Sequence, residues 1–268
     1  MPQLSIITIN FNNAVGLHKT IESVVSQTSK DFEYIVIDGG STDGSIDIIK
    51  SYQSKITHWI SEPDKGIYTA MNKGIVVAKG EYCQFLNSGD WLWQSDVTKN
   101  MLLDLPNSSI IYGNKIREYN GKNRVEKSYQ GRQLTLLDMY QSTLFHSCAY
   151  IKRSLFEKYG LYDETLKIVS DWKLYLIAVG LHNESVYYRD IDMVWFDSNG
   201  ISSTQKTLDQ QERKQVLKAV LPDSIRLDYE KFSTDSQIVS RLKKSKTAWF
   251  VIFNLYRFLF GIDKILNK

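Results

Sequence analysis

Leu4-Ser5-Ile6-Ile7-Thr8-Ile9-Asn10-Phe11-Asn12-Asn13 is an apolar, β-branched run that breaks into polar turn residues, and Leu17, Ile21, Val24 and Val25 follow at helical spacing. An apolar run without alternation reads as a strand buried on both faces. Asn13 offers an N-cap to the helix, and the four spaced apolar residues give that helix one stripe to lay on a sheet. The pattern recurs at once. Residues 34–37 are a second apolar run, Asp38-Gly39-Gly40-Ser41-Thr42-Asp43-Gly44 a Gly-rich loop, and Ile46, Ile49 and Tyr52 mark a second helix. A third strand over 57–60, a helix carrying Ile67, Met71, Ile75 and Ala78, and a fourth strand over 82–86 complete the series. Strands that alternate with helices need crossover connections, so the chain is expected to be α/β, with a doubly wound, mainly parallel sheet.

Beyond residue 95 the alternation loosens into an α+β region: a helix over 97–103, a strand over 110–112, a hairpin near Gly121, helices over 154–159 and 170–179, and strands over 186–188 and 193–196. The expected organisation is one domain in two halves, 1–100 and 101–204, and a C-terminal helical tail, 205–268.

The 268 residues are 43% hydrophobic and 24% charged with 4 Pro, enough apolar material for a sizeable core, which excludes disordered, collagenous and disulfide-scaffold classes. Cys83 and Cys148 both lie in apolar runs and read as buried thiols of a reducing compartment. With no secretory leader and no apolar stretch of membrane-spanning length, a cytoplasmic location is expected, with peripheral attachment to the inner face of the cytoplasmic membrane as the variant. The net charge of +3 comes from the tail, where residues 205–268 hold 13 Lys and Arg against 7 Asp and Glu. Residues 1–204 hold 20 Lys and Arg against 23 Asp and Glu, and a body of net negative charge argues against a nucleic-acid partner.

Ligands of open parallel sheets bind beyond the carboxyl ends of the strands. Here those ends read Thr8-Ile9-Asn10, Asp38 with its loop, Ser61-Glu62-Pro63-Asp64-Lys65-Gly66 and Asn87-Ser88-Gly89-Asp90. A single such Asp commonly forms a turn or caps a helix; carboxylates at three of four ends point to a ligand site. Neither G-x-G-x-x-G nor G-x-x-x-x-G-K-[ST] occurs, so a dinucleotide fold and a P-loop are both unsupported. A carboxylate such as Asp38 could instead accept from a base N–H, and Asp90 could hold Mn²⁺ or Mg²⁺ against a diphosphate, since hard cations take oxygen ligands.

Ile6-Ile7-Thr8-Ile9-Asn10, the 38–44 loop, Glu62-Pro63-Asp64-Lys65-Gly66-Ile67-Tyr68, Met71-Asn72-Lys73-Gly74 and Leu86-Asn87-Ser88-Gly89-Asp90, with Phe145-His146 and Ser170-Asp171-Trp172 further on, resemble the family 2 inverting glycosyltransferases of the type A fold. The resemblance implies transfer of a sugar, with inversion, from a nucleotide-sugar donor, expected to be a UDP-sugar, to an acceptor hydroxyl on a saccharide or lipid-linked saccharide. It implies donor binding in the first half and acceptor binding in the second. Position by position it places Thr8 and Asn10 beside the nucleoside, Asp38 on the base, Lys65 and Asn72 near the donor, and Asn87, Ser88 and the metal ligand Asp90 at the Asp-x-Asp motif. That motif here lacks its first carboxylate. Asp171 takes the place of the acceptor-activating base, a role that direct displacement at an anomeric carbon requires; as a first-turn helix carboxylate it also complements the helix dipole. His146 is a candidate acceptor or diphosphate contact, and equally a hydrogen-bonded structural residue.

The alternatives are a noncatalytic nucleotide-sugar-binding module and a sugar nucleotidyltransferase; the latter should show a basic phosphate loop where Asn10-Phe11-Asn12-Asn13 stands. In the tail, the apolar stretch 247–262 follows Arg241, Lys243, Lys244 and Lys246. Aromatic residues beside clustered cations suit an anionic membrane surface, while docking on the main domain or in a homodimer explains the same pattern.

Overall fold

The computed structural model describes residues 1–198, 200 and 204–266, and the side chains of these except 233–237, 240 and 261–266. It divides into two units, Met1–Val216 and Leu217–Lys268.

The first half of the larger unit follows the expected alternation: β1 (Leu4–Asn10), α1 (Ala14–Val25), β2 (Phe32–Asp38), α2 (Ser45–Ser51), β3 (His58–Ser61), α3 (Ile67–Val77) and β4 (Tyr82–Phe85). All seven residues of β1 are buried, as a strand covered on both faces demands. It pairs in parallel with β2 from Leu4↔Phe32 to Asn10↔Asp38 and with β4 on its other edge, while β3 pairs in parallel with β2. This register brings Asn10, Asp38 and Ser61 level at the carboxyl edge. Asn13 caps α1 by accepting from Gly16 N at 3.1 Å. Leu17, Ile21 and Val24 of α1 pack with Leu4, Ile6, Tyr34 and Val36 in the core. The crossover helix α3 runs so close over β1 that a Cβ on Gly74 would lie 2.5 Å from Ile7 Cγ2, so glycine there permits the packing.

The second half comprises β5 (Trp91–Leu92), α4 (Val97–Leu102), β6 (Ile110–Tyr119), β7 (Lys122–Glu126), α5 (Leu136–Gln141), β8 (Ala149–Lys152), α6 (Ser154–Tyr159), α7 (Ser170–Tyr175), β9 (Val186–Trp195) and α8 (Lys206–Val220). Among the described residues one nine-stranded sheet runs β3-β2-β1-β4-β8-β6-β9-β5, with β7 on β6. The antiparallel β4–β8 pair marks the change from the wholly parallel half to the mixed half.

Three readings are amended here. The two short strands expected over 186–196 are one strand, β9, because Arg189, Asp190 and Asp192 interrupt its apolar pattern while remaining bonded: Asn114 Nδ2 donates to Asp190 at 2.8 Å and Asp192 at 2.9 Å, and Arg189 donates to Asn100 O at 3.1 Å. The unforeseen α5 carries its own signal, a capping box between Thr135 and Asp138. The larger unit also runs past residue 204 to Val216, since α8 buries Glu212 and Val216. Both cysteines are buried free thiols, and burial pushes each up to about 12.

The smaller unit is formed by α9 (Asp223–Lys244) and α10 (Lys246–Leu266), preceded by the last turn of α8. No described helix is long and apolar enough to cross a membrane.

Candidate active site

A cleft of about 1040 Å³ opens at the carboxyl edge of β1 and β4. Asn10, Asn87, Ser88, Asp90, His146 and Asp171 all line it, so residues expected from distant stretches of chain meet in one cavity.

Asp90 ends a tight turn after β4. Gly89 adopts φ 106°, a conformation glycine accepts without steric cost. Thr20 Oγ1 of α1 ties the turn down, accepting from Gly89 N at 3.0 Å and donating to Asp90 O at 2.7 Å. The Asp90 carboxylate is 3% exposed and accepts from Asp197 N at 2.8 Å. Burial raises its pKa to about 7; the Asp197 amide opposes this, the Asp197 charge adds to it, and Lys115 offsets part of it. Asp197 lies across the turn, its Oδ2 3.0 Å from where a Cβ on Gly89 would be. Beside Asp90, Asn87 Oδ1 is buried with no hydrogen-bond partner. Lys115 Nζ lies 4.0 Å from the Phe145 ring centroid and 4.9 Å from that of Phe196, and pairs with Glu126 at 3.0 Å.

Asp171, in the first turn of α7, accepts from the Tyr68 hydroxyl at 2.8 Å, and the same hydroxyl contacts the Ile168 carbonyl. Burial and the Asp171 charge raise the Tyr68 pKa well above its ordinary value, so Tyr68 stays a proton donor at neutral pH. His146 lies within hydrogen-bond distance of the Tyr162 hydroxyl, 3.1 Å from Nε2, and stacks on Phe85 at 5.1 Å. Burial lowers its pKa and Asp171 raises it, with burial prevailing; the imidazole is neutral at pH 7.

Four expected donor contacts stand apart from the cleft lining. Thr8 is fully buried and accepts from the Tyr34 hydroxyl at 3.1 Å. Asp38 is buried and accepts from Asn10 Nδ2, Ser41 Oγ, Ser41 N, Gly40 N and Ser61 Oγ at 2.6–3.1 Å. Burial alone would raise its pKa, but these bonds outweigh it and hold the carboxyl below its usual range. These bonds tie Asp38 to the 38–44 loop and to Ser61 at the end of β3. Asn72 is likewise committed: Nδ2 donates to Tyr162 O and Glu164 Oε1, each at 2.9 Å, and Oδ1 accepts from Tyr162 N at 3.0 Å. Lys65 is exposed, between Asp64 and Gly66, which do line the cleft.

Sequence reasoning passed over Asp197, Lys115 and Arg213 as site residues, all of which line the cleft, as does Asp64 from the strand-end segment 61–66. Asp197 was within reach of the strand-end rule, since it follows β9 almost directly. Taken together the lining holds five carboxylates, Asp64, Asp90, Asp171, Asp197 and Asp209, against the cations Lys115, Lys167 and Arg213.

Residues 5–160 match the family model described as Glycosyl transferase family 2. The chain belongs to that family. It is an enzyme of glycosyl transfer, which sets aside the binding-module and nucleotidyltransferase readings. The glycosyltransferase is 32% identical over 214 residues to an uncharacterized glycosyltransferase of Mycobacterium tuberculosis, covering 75% of its own length and 78% of the relative's. It is 27% identical over 179 residues to a PGL/p-HBAD biosynthesis glycosyltransferase of Mycobacterium bovis, covering 64% and 67%.

Solved structures share its fold. Staphylococcus aureus TarS 1-349 in complex with UDP-GlcNAc superposes with a TM-score of 0.64 at 20% identity, covering 84% of this chain and 69% of that one. For the UDP complex the values are 0.61 and 22%, over 73% of this chain and 60% of the TarS segment. Mannosyltransferase PcManGT from Pyrobaculum calidifontis, in complex with GDP-Man and Mn²⁺, gives 0.64 at 15% identity, covering 96% and 80%.

Proposed function

We propose that this cleft transfers a sugar from a nucleotide-diphosphate donor, a UDP-sugar, to an acceptor hydroxyl with inversion at the anomeric carbon. The observation that carries the reading is that Asp90 and Asp171, from separate segments, line one cavity large enough for both substrates. Asp171 is the general base: among the described residues no Lys or Arg pairs with it, and the Tyr68 hydroxyl orients it, so it can take the acceptor proton as the new bond forms. Asn10, Asn87 and Ser88 line the donor side with Asp64 in the same cleft, Asp38 and Asn72 brace the loops behind them, and Thr8 is bonded to Tyr34 between β1 and β2.

A divalent cation fits the residues present. Asp90 has its pKa raised by burial and by Asp197, and Asn87 Oδ1 is an unpartnered oxygen nearby. Although the described residues hold no cluster of three or more acidic, His or Cys side chains, Mn²⁺ or Mg²⁺ needs only one or two carboxylates once phosphate oxygens join. Asp90, with Asp197 close by, would hold it, and when bound it neutralises charge on the departing diphosphate. The UDP-GlcNAc bound to TarS and the GDP-Man and Mn²⁺ bound to PcManGT support this reading.

The test is a thermal-shift panel of nucleotide sugars with and without Mn²⁺. A ligand that binds only the native state raises its stability, by about 2.7 kcal/mol at a hundredfold excess over Kd. Stabilisation by one UDP-sugar that depends on Mn²⁺ is the expected result; indifference to every nucleotide sugar would refute the donor assignment.

The acceptor is a saccharide, or a saccharide carried on a lipid, and the smaller unit supports the second form. Along α10, Trp249, Phe250, Phe253, Tyr256, Phe258 and Phe260 are exposed, and Arg241, Lys243, Lys244 and Lys246 lead into it. Aromatic side chains beside cations match an anionic bilayer surface, to which each nearby basic residue contributes about 1 kcal/mol. Deleting residues 241–268 is therefore expected to abolish co-sedimentation with phosphatidylserine vesicles while transfer to a soluble acceptor persists. Unchanged sedimentation, or conversion of a dimer to a monomer, would assign α10 to another surface.

A further inference from the structure

We infer that Glu212 of α8 is a positioning residue for Asp171, an inference that rests on the reading of Asp171 as the base. Glu212 is buried, although its neighbours Gln211, Lys214 and Gln215 are exposed. A carboxylate is rarely buried without strong partners. The partners here are three consecutive backbone amides. Lys167 N donates to Oε1 at 2.7 Å, and Ile168 N and Val169 N donate to Oε2 at 2.9 Å and 3.3 Å. These residues lead directly into α7, so a side chain from another element satisfies amides immediately ahead of the helix that carries Asp171.

The same short segment is gripped from its other side. The Ile168 carbonyl accepts from Tyr68, whose hydroxyl also contacts Asp171. One residue beyond Glu212, the Arg213 guanidinium lies 4.4 Å over the ring of Trp172, the residue after Asp171. Peptide 167–169 is thus held through its amides by Glu212 and through a carbonyl by Tyr68, and α8 presses on the adjoining indole. Packing alone would call for apolar residues at position 212; a carboxylate matched to three amides fixes the height and direction of the α7 start. A base must be held within about 0.5 Å of its productive position, and a misplacement of about 1 Å costs on the order of 100-fold in rate.

The test compares Glu212→Gln and Glu212→Ala, each alone and combined with Asp171→Asn, with rates normalised to donor-binding sites counted by titration. Gln can turn its carbonyl to two of the amides but presents N–H to the third, so it is the milder change and the one better placed to fold. Expected are a fall in kcat of about tenfold for Gln and a larger fall for Ala, with donor Kd unchanged. In the Asp171→Asn background the same substitutions should add almost nothing, because groups that act as one unit are non-additive. A purely structural Glu212 would lower the melting temperature and the number of competent sites, leave kcat per site at the wild-type value, and act independently of Asp171; that pattern overturns the inference. Wild-type turnover in Asp171→Asn alone would remove the base assignment itself, and the inference with it.

Discussion

Asp171→Asn is expected to lower kcat for sugar transfer by about 10²–10⁴-fold, the range lost with a positioned general base, while donor affinity stays within a few-fold of wild type. The separation follows from the geometry. Asp171 projects from α7 in the second half of the unit, and the donor side of the cleft is built on the ends of β1 and β4. Asparagine keeps an oxygen that can accept from Tyr68, so the start of α7 retains its anchor and only proton acceptance is removed. Steady-state transfer beside a direct donor titration decides the matter: parallel loss of turnover and donor binding would make Asp171 a structural or donor-side residue. Turnover unaffected by the change would place the base elsewhere, with His146, whose pKa is lowered by burial and which lines the same cleft, next in line.

The parallel half of the fold was legible because its signal is chemical and local. Uninterrupted β-branched runs can be satisfied only by a doubly covered strand, and the helices between carry single apolar stripes. Beyond residue 95 the signal weakens for a physical reason. A strand such as β9 stays paired while carrying Arg189, Asp190 and Asp192, whose charges are met by Asn114 and by backbone carbonyls, and pattern reading divides it.

The site shows the same split. Residues at the last position of a strand or in the turn after it, Asn10, Asn87, Ser88 and Asp90, do line the cleft. Thr8 does not, because same-face residues of a strand lie about 6.6 Å apart along it, and Thr8 stands one such step below Asn10. Asp38 stands level with Asn10, yet its oxygens are drawn into its own loop. Composition cannot distinguish a carboxylate aimed at a ligand from one that organises a turn; that depends on which donors the backbone returns to it. Glu212 was hidden for the opposite reason, since its amide partners lie 43–45 residues earlier in the chain and on no periodic pattern.

Asp90→Asn is expected to give a protein that is inactive and yet more stable than wild type at alkaline pH. With a folded-state pKa of about 7 against an ordinary value of 3.8, the native state binds the Asp90 proton more tightly than the unfolded chain does. Metal-free wild-type stability should therefore be fully present below about pH 4 and fall as pH rises through 7, with a loss on the order of 4 kcal/mol for about three units. Asparagine never ionises, keeps an oxygen for Asp197 N, and turns an amide toward the carboxylate of Asp197, so this loss disappears. His146 titrates in the same window with the opposite sign, because its folded-state pKa is lowered and its contribution falls away as pH drops. Comparing variant and wild type at each pH cancels that term. Denaturant unfolding from pH 4 to 8 without metal should thus show the two proteins converging at low pH and the variant ahead at pH 8. In the same variant, Mn²⁺ should no longer strengthen donor binding, and transfer should fall with it. A variant weaker than wild type at pH 8 would mean that the Asp90 charge is already balanced within the protein, leaving no call for a cation at the turn. Greater stability with Mn²⁺-dependent donor binding intact would leave the strain in place but move the cation to other oxygens of the cleft. Only gain of stability together with loss of metal response ties the cost of burying Asp90 to the ion it is held ready to bind.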